Sequence, residues 1–339
     1  MNSPMWVTAF MDIEDLVNAE SDEATRDCAE ILSQEGLQAT LCVVGEKARL
    51  LLKRHRDDVI AAMSEHDIGL HSDFHSVPPT IAEAMERRGW EEGVDEAIRM
   101  ERPAVEAIHR AFGRSPSCWG GPGNTWGPQV CAALRELAVP AFVYAHTQIP
   151  EGGVHRFAGC VAYPNGPSLN DIGYSDDAES ERQRDQVALR LAEDAAAGVP
   201  WQQVFLGHPS RILHDAFWDA PNFYYGANPP REQWKRTPRR SEADFRRALR
   251  NFRQGVRMLV SHPGIEVLTV RALNARLANT PSVPLSEAER EQVWPSIESS
   301  LRSMREWPIM PPGFEARNIC AMTRERLHTL ERFQFSPGW

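Results

Sequence analysis

The sequence has no C-x-x-C pair: its six cysteines, Cys28, Cys42, Cys118, Cys131, Cys160 and Cys320, lie far apart in 339 residues. That excludes the closely spaced thiolates of a zinc ribbon or a dithiol redox centre, and reduced thiols in a cytoplasmic setting are the expectation. No apolar run approaches the roughly 18 residues that cross a bilayer, and Met1 to Phe10 carries neither a basic nor an apolar leader region. No membrane role and no secretory signal are expected. Basic charge is short as well, with 37 Lys and Arg against 47 Asp and Glu and a net charge of −10. Without a basic face there is no electrostatic footprint for nucleic acid, so the expected partner is a small or neutral substrate. The one dense basic stretch, Lys235 to Arg253, is interleaved with Glu242 and Asp244 and reads as a solvated helix face.

What is present is 42% hydrophobic content, enough for a large core, dealt out in alternating strand-like and helix-like stretches. Apolar runs at 6–11, 39–44, 68–70, 117–119, 141–144, 204–207 and 265–269 read as buried strands. Helical spacing covers 22–35, 46–64, 92–112, 128–137, 180–197 and 241–261. These βα units predict an α/β fold built as a parallel (β/α) barrel, with an open doubly wound sheet as the alternative. Residues 1–275 form the expected catalytic barrel and 276–339 a C-terminal helical extension.

In either architecture the ligand crevice lies at the C-terminal ends of the strands, which selects Asp12, His71, the loop from Trp119 to Trp126, and His208. In His71-Ser72-Asp73-Phe74-His75 two imidazoles four residues apart can reach one ion from a helical turn or a tight loop, and nitrogen ligands suit zinc. Chance spacing among 11 histidines is the competing explanation. Asp12-Ile13-Glu14-Asp15 places three carboxylates after a buried strand, where repulsion is costly unless a cation offsets it. A helix N-terminus would account for Glu14 and Asp15, though not for Asp12. Two histidines and one carboxylate leave coordination positions open, as in catalytic zinc. A second carboxylate could then take a proton from water, and His208 could return one to a leaving amine. The loop offers close backbone approach at Gly123 and two aromatic faces, Trp119 and Trp126, for binding substrate; a tight turn with both indoles in the core accounts for it equally well. The aromatic stretch 217–225 reads as a rim segment.

Taken in order, Asp12-Ile13-Glu14-Asp15, His71-Ser72-Asp73-Phe74-His75 and Phe205-Leu206-Gly207-His208 resemble the motifs of the polysaccharide deacetylases of the NodB-homology superfamily, over roughly residues 5–275. The resemblance implies a distorted, seven-stranded (β/α) barrel and a metal-dependent hydrolase that removes acetyl groups from N-acetylated sugars, with a divalent metal, zinc above all. It implies Asp12 as general base, His71 and His75 as metal ligands, His208 as general acid, and Glu14 as third ligand with Asp15 in competition. Two departures mark a divergent member. Cys118 to Gly123 has no arginine where the family often has one orienting the aspartate, and Pro209 follows His208 where an acid is usual. The same residues would also serve hydrolysis of a non-sugar amide, ureide or ester, or remain in a catalytically silent carbohydrate-binding barrel.

Overall fold

The structure, a computed structural model, describes residues 4–149, 153–169 and 171–335. Its strands are β1 (Met5–Ile13), β2 (Thr40–Val43), β3 (Asp67–Leu70), β4 (Trp119–Gly120), β5 (Ala141–Ala145), β6 (His155–Phe157), β7 (Cys160–Pro164), β8 (Trp201–Phe205), β9 (Ile265–Leu268), β10 (Ser282–Pro284) and β11 (Glu331–Phe333). Seven of them run parallel in the order β7-β5-β4-β3-β2-β1-β8. No strand ladder closes β7 onto β8. The seam is spanned by the chain just after β7: Ser168 bridges Phe205, the Leu169 N–H donates to the Phe205 carbonyl at 2.8 Å, and the Phe205 N–H donates to the Pro167 carbonyl at 3.0 Å. The result is a distorted barrel with one weak seam.

The count of seven agrees with the sequence reading, but its membership differs. The expected strand at 265–269 is β9, which pairs residues 5–8 of β1, below the pairing of β2 with residues 10–13. β8 pairs residues 6–10 and so occupies the other edge. The seventh barrel strand is β7, every residue of it buried. It escaped detection because an antiparallel hairpin strand, β6, precedes it in place of a helix, breaking the βα rhythm. The helical stretch at 46–64 is two helices, Gly45–Lys53 and Asp57–Ser64, separated where His55 takes φ 55°.

Side-chain alternation divides the sheet cleanly. On β1, Met5, Val7, Ala9, Met11 and Ile13 face the helix layer, while Trp6 and Phe10 join Cys42, Val143, Tyr163 and Trp201 in the barrel interior. The helix Val270–Leu277 plugs the bottom with Val270, Leu273 and Leu277. Beside it the Asp67 carboxylate accepts hydrogen bonds from Thr40, Ser117 and Arg271. With that end sealed, the polar strand ends at the other mouth are the accessible ones.

The C-terminal segment carries the helices Glu287–Ser303 and Arg317–Arg326, yet it is not purely helical. β10 and β11 extend the sheet antiparallel through β6, so this segment is stitched to the barrel edge. Among the described residues no helix is long and apolar enough to cross a membrane.

One close approach aligns the histidine loop. The N–H groups of Gly45 and Glu46 donate to the carbonyls of Ser72 and Asp73, each at 2.9 Å, and a Cβ on Gly45 would stand 2.3 Å from Asp73 Oδ1 and 2.6 Å from the Ala104 Cβ. Gly45→Ala should therefore cost about 1–3 kcal/mol through forced displacement, read as a lowered urea midpoint with an unchanged slope.

Candidate metal centre

Alternation along β1 decides which acids face the barrel mouth. Asp12 shares the inward parity of Phe10, and Glu14, one residue beyond the strand, continues it. Asp15 turns the other way. Its carboxylate accepts from the N–H groups of Val17 and Asn18 at 2.9 and 2.8 Å and from the Asn18 side chain at 2.9 Å, the pattern of a side chain tying its own turn. Of the two acids competing for the metal, the structure brings only Glu14 to the histidines.

His71 follows β3 directly, with its N–H on the Val43 carbonyl at 2.9 Å. The two histidines sit on a tight loop, since Ser72 and His75 take φ 57° and 55° and Ser72 Oγ accepts from the His75 N–H at 3.0 Å. His75 Nε2 lies 2.9 Å from Glu14 Oε2 and His71 Nε2 lies 3.6 Å from it. One ligand atom from each of the three residues lies within 4.8 Å of the others, and all three are buried.

The remaining atoms of these side chains are already engaged. His71 Nδ1 is 3.0 Å from the Gly120 carbonyl, which can only accept, so Nδ1 carries the proton. Ser76 Oγ donates to Asp219 Oδ2 at 2.7 Å and is 2.9 Å from His75 Nδ1, which fixes the proton on that nitrogen too. Trp218 Nε1 donates to Glu14 Oε1 at 3.1 Å. Both Nε2 lone pairs and Glu14 Oε2 are thus left facing one point, with their outer partners set as ligating histidines require. The donor set fits a divalent cation.

Asp12 and His208 lie together beside this cluster. Tyr144 donates to the Asp12 carboxylate, at 3.0 Å from Oδ1 and 3.2 Å from Oδ2. Asp12 Oδ2 is 3.6 Å from His71 Nε2 and 3.9 Å from His208 Nε2. The His208 ring stands edge-on between Phe205 and Phe217, with centroids 5.1 and 5.0 Å away. Burial pushes the Asp12 carboxyl up, against the opposing pull of His71 and His208. Burial acts the same way on Glu14, but there His75, His208 and His71 win and hold it well below the usual carboxylate range. His71 would be lowered by burial, and the Asp12 and Glu14 carboxylates instead raise it. Asp219, buried beside His75 and Glu14, is pushed up to about 6.

These groups line a cavity of about 390 Å³ that also takes in Gly123, Phe217 and Tyr224. Trp119 and Trp126, expected to bind substrate, do not reach it. Trp119 has the outward parity of β4 and donates to Glu101 at 3.0 Å under the helix Trp90–Phe112, and Trp126 packs on Phe142 and Phe157 at 5.6 and 5.9 Å. Of the expected aromatic rim, Phe217 and Tyr224 line the cavity, while Trp218 is buried as the Glu14 donor. Sequence reasoning missed Tyr144, Ser76, Asp219 and the segment Trp307 to Ile309. Strict alternation points Tyr144 outward with Phe142; a bulge between Val143 and Ala145, with Tyr144 at φ 62°, turns it inward.

Among solved structures, the chain is similar to a Mycobacterium smegmatis protein assigned as a polysaccharide deacetylase, with TM-score 0.53 and 13% identity over 82% of this chain and 91% of that one. The two chains share a fold. Looser similarity reaches the Xyl-CE4 domain of a multidomain xylanase from the hindgut metagenome of Trinervitermes trinervoides, with TM-score 0.44 and 15% identity over 82% and 92% of the two chains. It also reaches a mutant of BA3943, a CE4 family pseudoenzyme, with TM-score 0.44 and 14% identity over 80% and 67%. No family model and no curated protein matches the chain.

Two outcomes follow for metal binding. The unaltered chain should take up one zinc equivalent, His71→Ala should lose it and Asp15→Ala should keep it, as elemental analysis after dialysis will read. Because Asp12 and Glu14 raise the His71 imidazole above its ordinary value, zinc competes with a proton for it through the range in which it titrates. Affinity should therefore rise with pH through that range, with proton release seen by calorimetry in buffers of different ionisation enthalpy.

Proposed function

We propose that this chain is a metal-dependent hydrolase of C–N bonds that deacetylates an N-acetylated sugar or a related amide. The observation that carries the reading is the placing of Asp12 and His208, 3.9 Å from each other, beside a Glu14, His71, His75 donor set within one cavity. The polysaccharide deacetylase fold supports an acetylated substrate.

A divalent cation held by Glu14, His71 and His75, with zinc the ion this donor set suits, supplies Lewis acidity toward the carbonyl and a more acidic water. Asp12 acts as the base. Its carboxyl is raised by burial, which moves it toward the working range of a general base, and the Tyr144 hydroxyl fixes its orientation in place of the family arginine. Asp12 accepts the proton of the attacking water. His208, with 14% of its side chain exposed toward the cavity and its ring held by Phe205 and Phe217, donates a proton to the departing amine nitrogen. The relay from His75 through Ser76 to Asp219 keeps His75 in its ligating tautomer.

Asp12→Asn should lower kcat by about 10²–10⁴-fold while retaining one zinc per chain. Activity within about threefold of the unaltered enzyme would remove Asp12 from the role of base. Tyr144→Phe, which frees the carboxylate without deleting it, should lower kcat by about tenfold and leave zinc content unchanged, in keeping with the few kcal/mol at most that one hydrogen bond to a charged group contributes.

A further inference from the structure

The barrel mouth is crossed by a strap. Trp307, Pro308 and Ile309 line the cavity although they come from the far C-terminal segment. On one side Ile309 Cδ1 lies where a Cβ on Gly123 would be, at 2.3 Å, and Gly123 takes φ 53°, so Ile309 packs directly on the loop after β4. On the other side the Pro308 carbonyl accepts from the Tyr225 N–H at 2.7 Å, and Pro312 Cδ packs on Gly226, 2.9 Å from where its Cβ would be, both beyond β8. In the ring of seven strands, β4 and β8 are three steps apart through β5 and β7 and four steps apart through β3, β2 and β1. The strap therefore runs from one side of the mouth to the opposite side. A second tie fixes its base: His146 contacts Ser300 Oγ at 2.9 Å and the Asn124 carbonyl at 2.7 Å, joining the helix Glu287–Ser303 to the same loop.

A polymer lying across the metal centre needs a trough open at both ends, and the strap occupies that path. What is left is a cavity of about 390 Å³, at the small end of ligand sites, which run to about 1,000 Å³. Away from the acids and histidines its wall carries Phe217, Tyr224, Trp307 and Ile309 as apolar faces and Asn165 and Gln203 as neutral polar ones. No lysine or arginine is among the described residues that line it, so away from the metal site and His208 no cationic side chain pairs with a carboxylate, sulfate or phosphate on the body of a substrate.

Resting on the hydrolase reading above, we infer that the substrate is a single small, uncharged acylated amine with a ring-sized apolar body, entered end-on. Residues 307–309 set that limit and exclude chain-internal sugars. Trp307, exposed to 42%, covers the body of the substrate away from the reacting carbonyl. Hydrolysis adds water across the amide: the carbonyl carbon gains the hydroxyl, the C–N bond breaks, and the nitrogen leaves with the proton from His208.

The test uses the zinc-loaded full chain with two probes, acetanilide and chitotetraose, measuring both binding by calorimetry and release of acetate. The inference expects acetanilide to bind and to exceed chitotetraose in kcat/KM by about tenfold or more, on the scale by which shaped pockets discriminate. Trp307→Ala, at a partly exposed position that folding tolerates, should raise the Kd and KM for acetanilide about tenfold with kcat within about twofold. Chitotetraose binding or turning over as well as acetanilide overturns the inference and leaves the hydrolase reading standing. So does an unchanged Kd in Trp307→Ala. Failure of acetanilide to bind also overturns it. Trp307-dependent binding of acetanilide without acetate release retains the inference about the cavity and removes the hydrolase reading.

Discussion

Two carboxylates, Asp12 and Glu14, lie buried on one face at the end of β1, and the rest of the site answers to the cost of keeping them there. Each buried anion forfeits hydration worth several kcal/mol unless opposite charge and hydrogen bonds replace it. Three imidazoles supply part of that, with His75 at 2.9 Å and His208 at 3.8 Å from Glu14. Trp218 and Tyr144 each donate to one of the acids. The hydrogen bonds on the far nitrogens of His71 and His75 hold a proton on each Nδ1, so a neutral ring presents Nε2 as an acceptor. Neutral rings cannot balance two carboxylates. A divalent cation between them would do so, and this electrostatic deficit, more than the histidine spacing, supports the metal centre proposed above.

The fold meets this demand from distant parts of the chain. The acids leave β1, the histidine loop leaves β3, His208 follows β8, and Tyr144 comes from a bulge in β5. Parallel order places all four at the same mouth, and the helix Val270–Leu277 with the Asp67 network closes the other. The rigid strand ends hold the acids, while the shaping groups, Gly123, Phe217 and the 307–309 strap, sit on loops or the tail. In the function proposed above, chemistry and substrate choice fall to different parts of the molecule.

What could be read from the sequence follows from which features are local. The acids, the H-x-x-x-H loop and His208 end apolar runs, so period-two strands and the strand-end rule expose them. The choice between Glu14 and Asp15 was legible in principle, since one residue reverses the face, but it needed the strand end to be known to a single position. Tyr144 was hidden by its bulge, and Trp119 drew notice as an aromatic beside glycines although its parity sends it to the helix layer. β7 was hidden by the hairpin before it. The strap had no local signal, because its meaning depends on contacts with Gly123 and Tyr225 that only the folded chain creates.

The most direct measurement is a crystal structure of the zinc-soaked protein with anomalous data collected on both sides of the zinc edge. One peak bonded to the Nε2 atoms of His71 and His75 and to Glu14 at about 2.0–2.2 Å, with Asp12 close by and Asp15 still on its turn amides, is the result predicted. Absence of a peak at that point, or an ion held by Asp15 in place of Glu14, would contradict the account.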